Sequence, residues 1–334
     1  MLSRVAESLY WMSRYIERAE DLTRLLAVNF SALLDLREGD AQRAWQSLVK
    51  ATGDDALFAE LHGEADAESV TQFMVWEALN PNSVTACIVR ARENARSVRE
   101  QITSEMWEGI NRLYFLTRNL ERSSLLTNPA EFFRLVRDRT QAFQGITTAT
   151  MTHAEPFQFI QLGLYFERAD KTARILDGKY LYLNQLPETS AETSLQLIAL
   201  LRSCSAFEPY RRASAGQINV VNVAEYLLLN REFPRAVLFC LNACLQTLER
   251  LGEAGETATS SPRANPPRRL LGRLAADLDY LDIQEVLGEN MDPFLRRFLI
   301  RLNLIGDDIS RLYFNTSVIL PDERPRQQQQ QQQQ

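Results

Sequence analysis

The amino-acid sequence predicts an all-α fold, a large helical bundle built from two related halves at an offset of about 150 residues. Apolar residues recur at helical spacing along most of the chain, and strand-like alternation is nearly absent. Turn-forming Pro, Gly and Asn separate the periodic segments, and one polar motif occurs twice. The 334 residues can bury a substantial core. We expect a single domain over 1–320, with halves at about 1–150 and 151–320.

The longest apolar stripe opens the chain. Leu2, Leu9, Met12 and Ile16 recur at helical spacing and predict a helix from about 3 to 36. The same periodicity predicts the remaining helices of the first half at about 40–51, 55–61, 67–79, 83–126 and 130–150.

Turn-forming residues lie at both ends of the long segment predicted at 83–126. Asn80-Pro81-Asn82-Ser83 reads as a turn with a helix N-cap. Thr127-Asn128-Pro129 ends the segment, and its length suggests a break near Gly109.

In the second half, Glu155-Pro156 opens a helix that runs to Leu186 and ends before Pro187. Periodicity predicts the later helices at about 190–206, 219–230, 234–251, 268–287 and 292–318. Residues 252–267 are rich in small and turn-forming residues and predict a flexible loop. The polyglutamine tail at 321–334 is expected to be disordered.

The repeat is the most informative feature of the sequence. Residues 15–20 read Tyr-Ile-Glu-Arg-Ala-Glu, and residues 165–170 read Tyr-Phe-Glu-Arg-Ala-Asp. Arg24 and Arg174 extend the match. A weaker sequence similarity relates residues 82–84 to residues 235–237. This pattern indicates an internal duplication.

The repeated polar residues flank the apolar stripe of their helix. Glu20 and Arg24 are four residues apart with the acid first, which favours an ion pair, and Asp170 and Arg174 repeat this spacing. Two interpretations stay open: an interhelical ion-pair network that sets the register of the halves, which we favour, and a polar cavity for a ligand. The candidate ligand- or partner-binding residues are Arg14, Glu17, Arg18, Glu20, Arg24, Glu167, Arg168, Asp170, Arg174, Asn82, Glu93 and Arg96.

Composition restricts the function. The net charge of −6 and the pI of about 5.3 argue against a nucleic-acid binder. The longest apolar run, 236–241, is far too short to cross a membrane, and early charges argue against a signal peptide. We therefore expect a cytoplasmic protein without membrane contact. The four cysteines are scattered, so we expect reduced structural thiols.

No recognised catalytic motif is present. The sequence lacks a phosphate-binding glycine loop, a G-x-S-x-G elbow and the Glu-x-x-His pattern of di-metal bundles. No metal site and no cofactor are predicted, and whether the protein is an enzyme stays open. Nearly all basic residues are arginine, which fits either an interior of Arg–carboxylate pairs or a GC-rich genome.

Five blocks resemble the bacterial α-E family, which is named for a Glu-Arg motif. They are residues 3–20, 80–84, 91–111, 166–174 and 234–237. The resemblance implies a helical protein whose gene sits beside two others. One encodes a circularly permuted ATP-grasp protein of the carboxylate–amine ligase kind, and the other a transglutaminase-like cysteine peptidase.

The expected function is therefore that of an accessory subunit in a peptide-ligase and peptidase system, which binds one of these partners or a peptide substrate. The alternative is an enzyme of unknown class that acts on a peptide or amino acid in a pocket lined by Glu and Arg. A purely structural scaffold is a third possibility.

Overall fold

The structure is a computed structural model. It describes residues 1–32, 38–120, 129–184, 186–187, 190–214, 218–254, 265–289 and 291–314. The all-α prediction is confirmed, since these residues form helices and turns and no strand. The glutamine tail and most of the predicted loop lie outside the described residues.

The first half contributes seven α-helices in the described ranges. They are α1 (Ser3–Ala32), α2 (Glu38–Thr52), α3 (Asp55–Leu61), α4 (Ala67–Val75), α5 (Val84–Ser97), α6 (Ser104–Arg118) and α7 (Pro129–Thr150). A short 3₁₀ turn, Arg99–Gln101, joins α5 to α6.

The second half continues with eight α-helices. They are α8 (Glu155–Leu183), α9 (Ala191–Ser203), α10 (Phe207–Ala213), α11 (Val220–Leu229), α12 (Val237–Ala254), α13 (Pro266–Asp279), α14 (Ile283–Glu289) and α15 (Met291–Ile309). A π-helical turn, Ser310–Phe314, follows α15.

Three boundary predictions were wrong. The helix expected over 83–126 breaks near residues 98–103 and not near Gly109, because Ile102 is extended and Thr103 caps the backbone N–H of Met106. Gly109 lies inside α6, and a Cβ added there would be in ordinary van der Waals contact with Phe143 of α7.

The other two errors concern the second half. The helix expected over 268–287 is two helices, since α13 ends at Asp279 and Asp282 accepts the backbone N–H of Gln284. The third is α10, which lies between the helices predicted at 190–206 and 219–230: Pro209 is in its first turn, where the missing N–H removes no helical hydrogen bond.

Two groups of four helices stand side by side. In the first, α1 packs on α5, α5 on α6, α6 on α7 and α7 on α1; in the second, α8, α12, α13 and α15 form the same cycle. The groups meet along α1 and α8, and each also contributes one helix to the other, since α2 packs on α8 and α9 packs on α1. One hydrophobic core runs through both groups, from Val5 to Phe314.

The two central helices run parallel and in register. The α-amino group of Met1 lies 3.2 Å from Glu155, and at the far end Lys179 Nζ donates to Asn29 Oδ1 at 2.8 Å. At Gly163 the backbones approach closely, since a Cβ there would lie 2.4 Å from the carbonyl oxygen of Tyr10. This alignment places residues 17 and 18 opposite residues 167 and 168.

Candidate functional site

Glu167 of α8 is held by two arginines of α1. Its carboxylate accepts from Arg14 Nε and Arg18 Nε, each at 2.6 Å, and from Arg18 Nη2 at 3.1 Å. Glu167 has no exposed surface. The side chains of both arginines are about 12% exposed. Charge-assisted bonds of this length are among the strong ones.

Glu17 of α1 forms the reciprocal arrangement with α8. It accepts from Arg168 Nε at 2.7 Å, and Arg235 Nη1 lies 2.8 Å away. Gln144 of α7 donates to the second carboxylate oxygen at 2.6 Å and accepts from Arg168. The two Glu-Arg motifs therefore pair with each other across the α1–α8 contact.

Arg235 precedes α12 and lies among three carboxylates of α1. Its guanidinium is 2.5 Å from both Glu20 Oε2 and Asp21 Oδ1, in addition to Glu17. Glu20 also pairs with Arg24, one helical turn along α1.

The same three carboxylates are the one group in the described ranges whose oxygens are close enough together to bind a metal ion. Because the Arg235 guanidinium binds all three, it occupies the position that a cation would take.

The α8 motif extends toward its C-terminal side. Arg174 Nε bonds both oxygens of Asp170 at 3.0 Å. Lys171 Nζ lies 3.4 Å from Asp170 and 3.8 Å from Glu167. This pairing of residues 170 and 174 matches that of residues 20 and 24 on α1.

Asn82 joins this network from the turn before α5. Arg18 Nη1 donates to Asn82 Oδ1 at 2.5 Å, and Asn82 Nδ2 donates to Asp54 Oδ1 at 2.9 Å. Glu93 and Arg96 do not join it. They pair with each other at 2.6 Å on the exposed face of α5.

Charge pairing and burial set the protonation of the network. Burial alone would raise the pKa of Glu17 and Glu167, but the facing guanidinium groups lower both below the ordinary value. Burial raises the pKa of Asp21 to about 7, partly offset by Arg235. No described residue lies within hydrogen-bonding distance of Asp21 Oδ2.

Sequence reasoning missed several members of the network. Arg235, Lys171 and Gln144 were not among the candidates. Arg235 carried a signal, because the faint repeat aligned it with Asn82. Gln144 carried none, since its role depends on how α7 packs against α1.

The described cysteines are all free and buried, which confirms the predicted structural thiols. Burial raises the pKa of Cys87 to about 11 and that of Cys240 to about 12. Thiols of this kind are poor nucleophiles at neutral pH.

These features define a class of all-helical proteins built on paired Glu-Arg motifs. The chain belongs to the Alpha-E family, described as a predicted α-helical domain with a conserved ER motif, whose model matches residues 1–314.

Curated relatives match nearly all of the chain. The uncharacterized proteins Mb2597 of Mycobacterium bovis and Rv2567 of Mycobacterium tuberculosis are each 23% identical over 346 residues, covering 95% of this chain. The chain spans only 37% of the length of these relatives. No solved structure matches. Among the described helices, none combines the length and apolar character needed to cross a membrane.

Proposed function

We propose that this chain is a non-catalytic accessory subunit that works in the cytoplasm beside an ATP-grasp peptide ligase and a transglutaminase-like peptidase. It binds one of these proteins, or their peptide substrate, through its outer surface. The observation that carries the proposal is the burial of Glu17 and Glu167, whose hydrogen-bonding capacity is taken up by arginines across the helix contact.

The Glu-Arg motif is architectural in this proposal. A buried ion pair contributes little net stability but costs several kcal/mol when one partner is lost, so it specifies which surfaces meet. Here it fixes α1 parallel to α8. The surfaces left for recognition are those outside the network.

An internal duplication is part of the same proposal. Its supports are the repeated motif, the matching cycles of four helices and the parallel α1–α8 contact. Asn29 and Lys179, which contact each other, are themselves 150 positions apart. The exchange of α2 and α9 between the groups is the arrangement that a duplicated unit produces when two copies exchange an element.

The curated relatives supply a second support. In those proteins a region similar to this whole chain is covalently continuous with further sequence. A helical unit that occurs joined to additional chain fits a role beside other proteins.

The alternative, an enzyme whose pocket is lined by the two Glu-Arg motifs, would need an opening at the network. Since neither glutamate has exposed surface, a substrate could reach them only if the side chains or helices that cover them moved. The accessory role requires no such movement.

Purification of the tagged full-length chain from its host, followed by mass spectrometry, tests the proposal. We expect an ATP-grasp protein or a transglutaminase-like protein to be enriched over an untagged control strain. Recovery of the folded chain with neither protein would contradict the proposed partners.

A further inference from the structure

A cleft of about 560 Å³ lies between α2, α3, the turn after α3 and the end of α8, and its lining includes none of the paired residues of the two Glu-Arg motifs. This volume is within the range of small-ligand sites. Gly178 lets α2 lie close to α8 beside it, because a Cβ there would be 2.8 Å from the carbonyl oxygen of Ser47. The cleft is therefore bounded by a tight helix contact.

Three charged side chains that line the cleft form no direct ion pair in the described ranges, although the charge of Lys50 partly offsets the rise that burial causes in the pKa of Asp177. Lys50 extends from α2, Asp55 from the start of α3, and Glu64 from the turn after α3. In the described ranges no carboxylate lies within ion-pair distance of Lys50, and no cation lies within that distance of Asp55 or Glu64. Both signs of charge are therefore available to one bound molecule.

The lining also includes amide and apolar groups, beside the guanidinium of Arg43 and the hydroxyl groups of Ser47 and Tyr182. Gln42 and Gln46, one turn apart on α2, provide side-chain amides that both donate and accept hydrogen bonds. Val49, Phe58 and Leu181 provide apolar surface. A ligand that carries amide bonds and small apolar side chains would match both kinds of group.

We propose that this cleft binds a short zwitterionic peptide, with the peptide carboxylate at Lys50 and its ammonium group at Asp55 and Glu64. The inference rests on the proposed function, since it assigns the peptide substrate of the accessory subunit to a site distinct from the Glu-Arg motifs. It requires no partner protein, so binding can be measured on the chain alone.

Methyl NMR on the full chain labelled at alanine methyl groups tests the proposal directly, because Ala56, Ala59 and Ala65 line the cleft. The probe is unlabelled trialanine. We expect a saturable shift of these three methyl resonances, while those of core alanines such as Ala95 and Ala199 do not move. Trialanine amide and N-acetyl-trialanine, which each lack one charge, should bind about tenfold more weakly.

Two variants define the site. Lys50→Gln should weaken trialanine binding about tenfold and should remove the difference between trialanine and its amide. Ala59→Trp should fill the cleft and abolish binding. Arg134→Gln, on the exposed face of α7, is the matched control and should change nothing.

The proposal is overturned if trialanine gives no saturable shift at millimolar concentration, or if the two capped peptides bind as well as the free one. A ligase or peptidase recovered from the host, together with no trialanine binding, would reject the cleft and keep the accessory role. Trialanine binding without either partner would reject the partners and keep the cleft.

Discussion

At the scale of single residues, the effect of a substitution on stability depends on which buried charges it leaves without a partner. Glu167 faces both Arg14 and Arg18, and all three lie in surroundings largely closed to water. Leaving one buried charge without its partner lowers the free energy of unfolding by far more than a well-formed buried ion pair raises it. The same cost of burying an unpaired charge determines whether nearby buried groups hold a proton.

Glu167→Gln leaves two guanidinium groups opposite a neutral amide. We expect the free energy of unfolding to fall by about 3–5 kcal/mol, measured by chemical denaturation. Glu93→Gln is the matched control, because the Glu93–Arg96 pair is exposed and should contribute no more than about 1 kcal/mol. A change below about 1 kcal/mol for Glu167→Gln would show that the buried pairing is not formed.

Lys179 should make stability depend on alkaline pH. It is fully buried between Asn29 and Gln196, and burial lowers its pKa from 10.5 to about 7. Between these two values the unfolded chain holds a proton that the folded chain has released. Stability therefore rises with pH across this window and is lost as pH falls toward 7.

Denaturation curves at pH 7.5 and 9 measure the effect. We expect the wild-type chain to gain up to about 1.4 kcal/mol per pH unit relative to Lys179→Met, which has no titrating group at this position. Parallel pH dependence of the two proteins would mean that Lys179 keeps an ordinary pKa.

At the scale of helices, two helix backbones can approach closely only where small residues lie between them. Gly163 permits the contact of α1 with α8, and Gly178 permits that of α2 with α8. Gly145 lies within α7 and a Cβ there would meet no heavy atom within 4 Å. These glycines have similar helical backbones but different surroundings.

Gly163→Ala should therefore destabilise the protein, by about 1–3 kcal/mol from overpacking against Tyr10, despite the better helix propensity of alanine. Gly145→Ala should instead stabilise it by about 0.5–1 kcal/mol. Thermal denaturation of both variants separates the effects. Stabilisation by both substitutions would contradict the close α1–α8 contact.

Helix positions were predictable because the apolar periodicity follows from the local sequence. The long helices α1, α7 and α8 were predicted within a few residues over their described parts. The breaks within 83–126 and 268–287 were not predicted, because a short polar residue such as Thr103 or Asp282 caps the start of a new helix without disturbing the apolar periodicity.

At the scale of the whole molecule, the two groups of helices complete each other. The sequence predicted which residues share a helix face but not that residues 17 and 168 pair across helices, since this depends on the parallel packing of α1 and α8. The Arg-rich composition was the one global hint that the interior holds Arg–carboxylate pairs. Glu17 and Glu167 each find their arginine partners in the other half of the chain.

Expressing residues 1–150 and 151–314 separately tests this dependence. We expect each half alone to aggregate or to lack cooperative unfolding, because α1 and α8 would expose apolar surface and unpaired charges. Co-expression should give a 1:1 complex in size-exclusion chromatography. A half that folds alone as a stable monomer would contradict this interdependence.

The most direct test of the architectural role is a double-mutant cycle on Glu17 and Arg168, using Glu17→Gln, Arg168→Gln and the double variant. The exposed pair of Glu108 and Arg112 serves as the reference cycle. A structural network predicts a coupling energy of at least about 1 kcal/mol for the buried pair, against about 0.3–0.5 kcal/mol for the exposed one. Equal coupling energies in the two cycles, with all variants folded, would contradict the interhelical network and favour a site that holds these residues for a ligand.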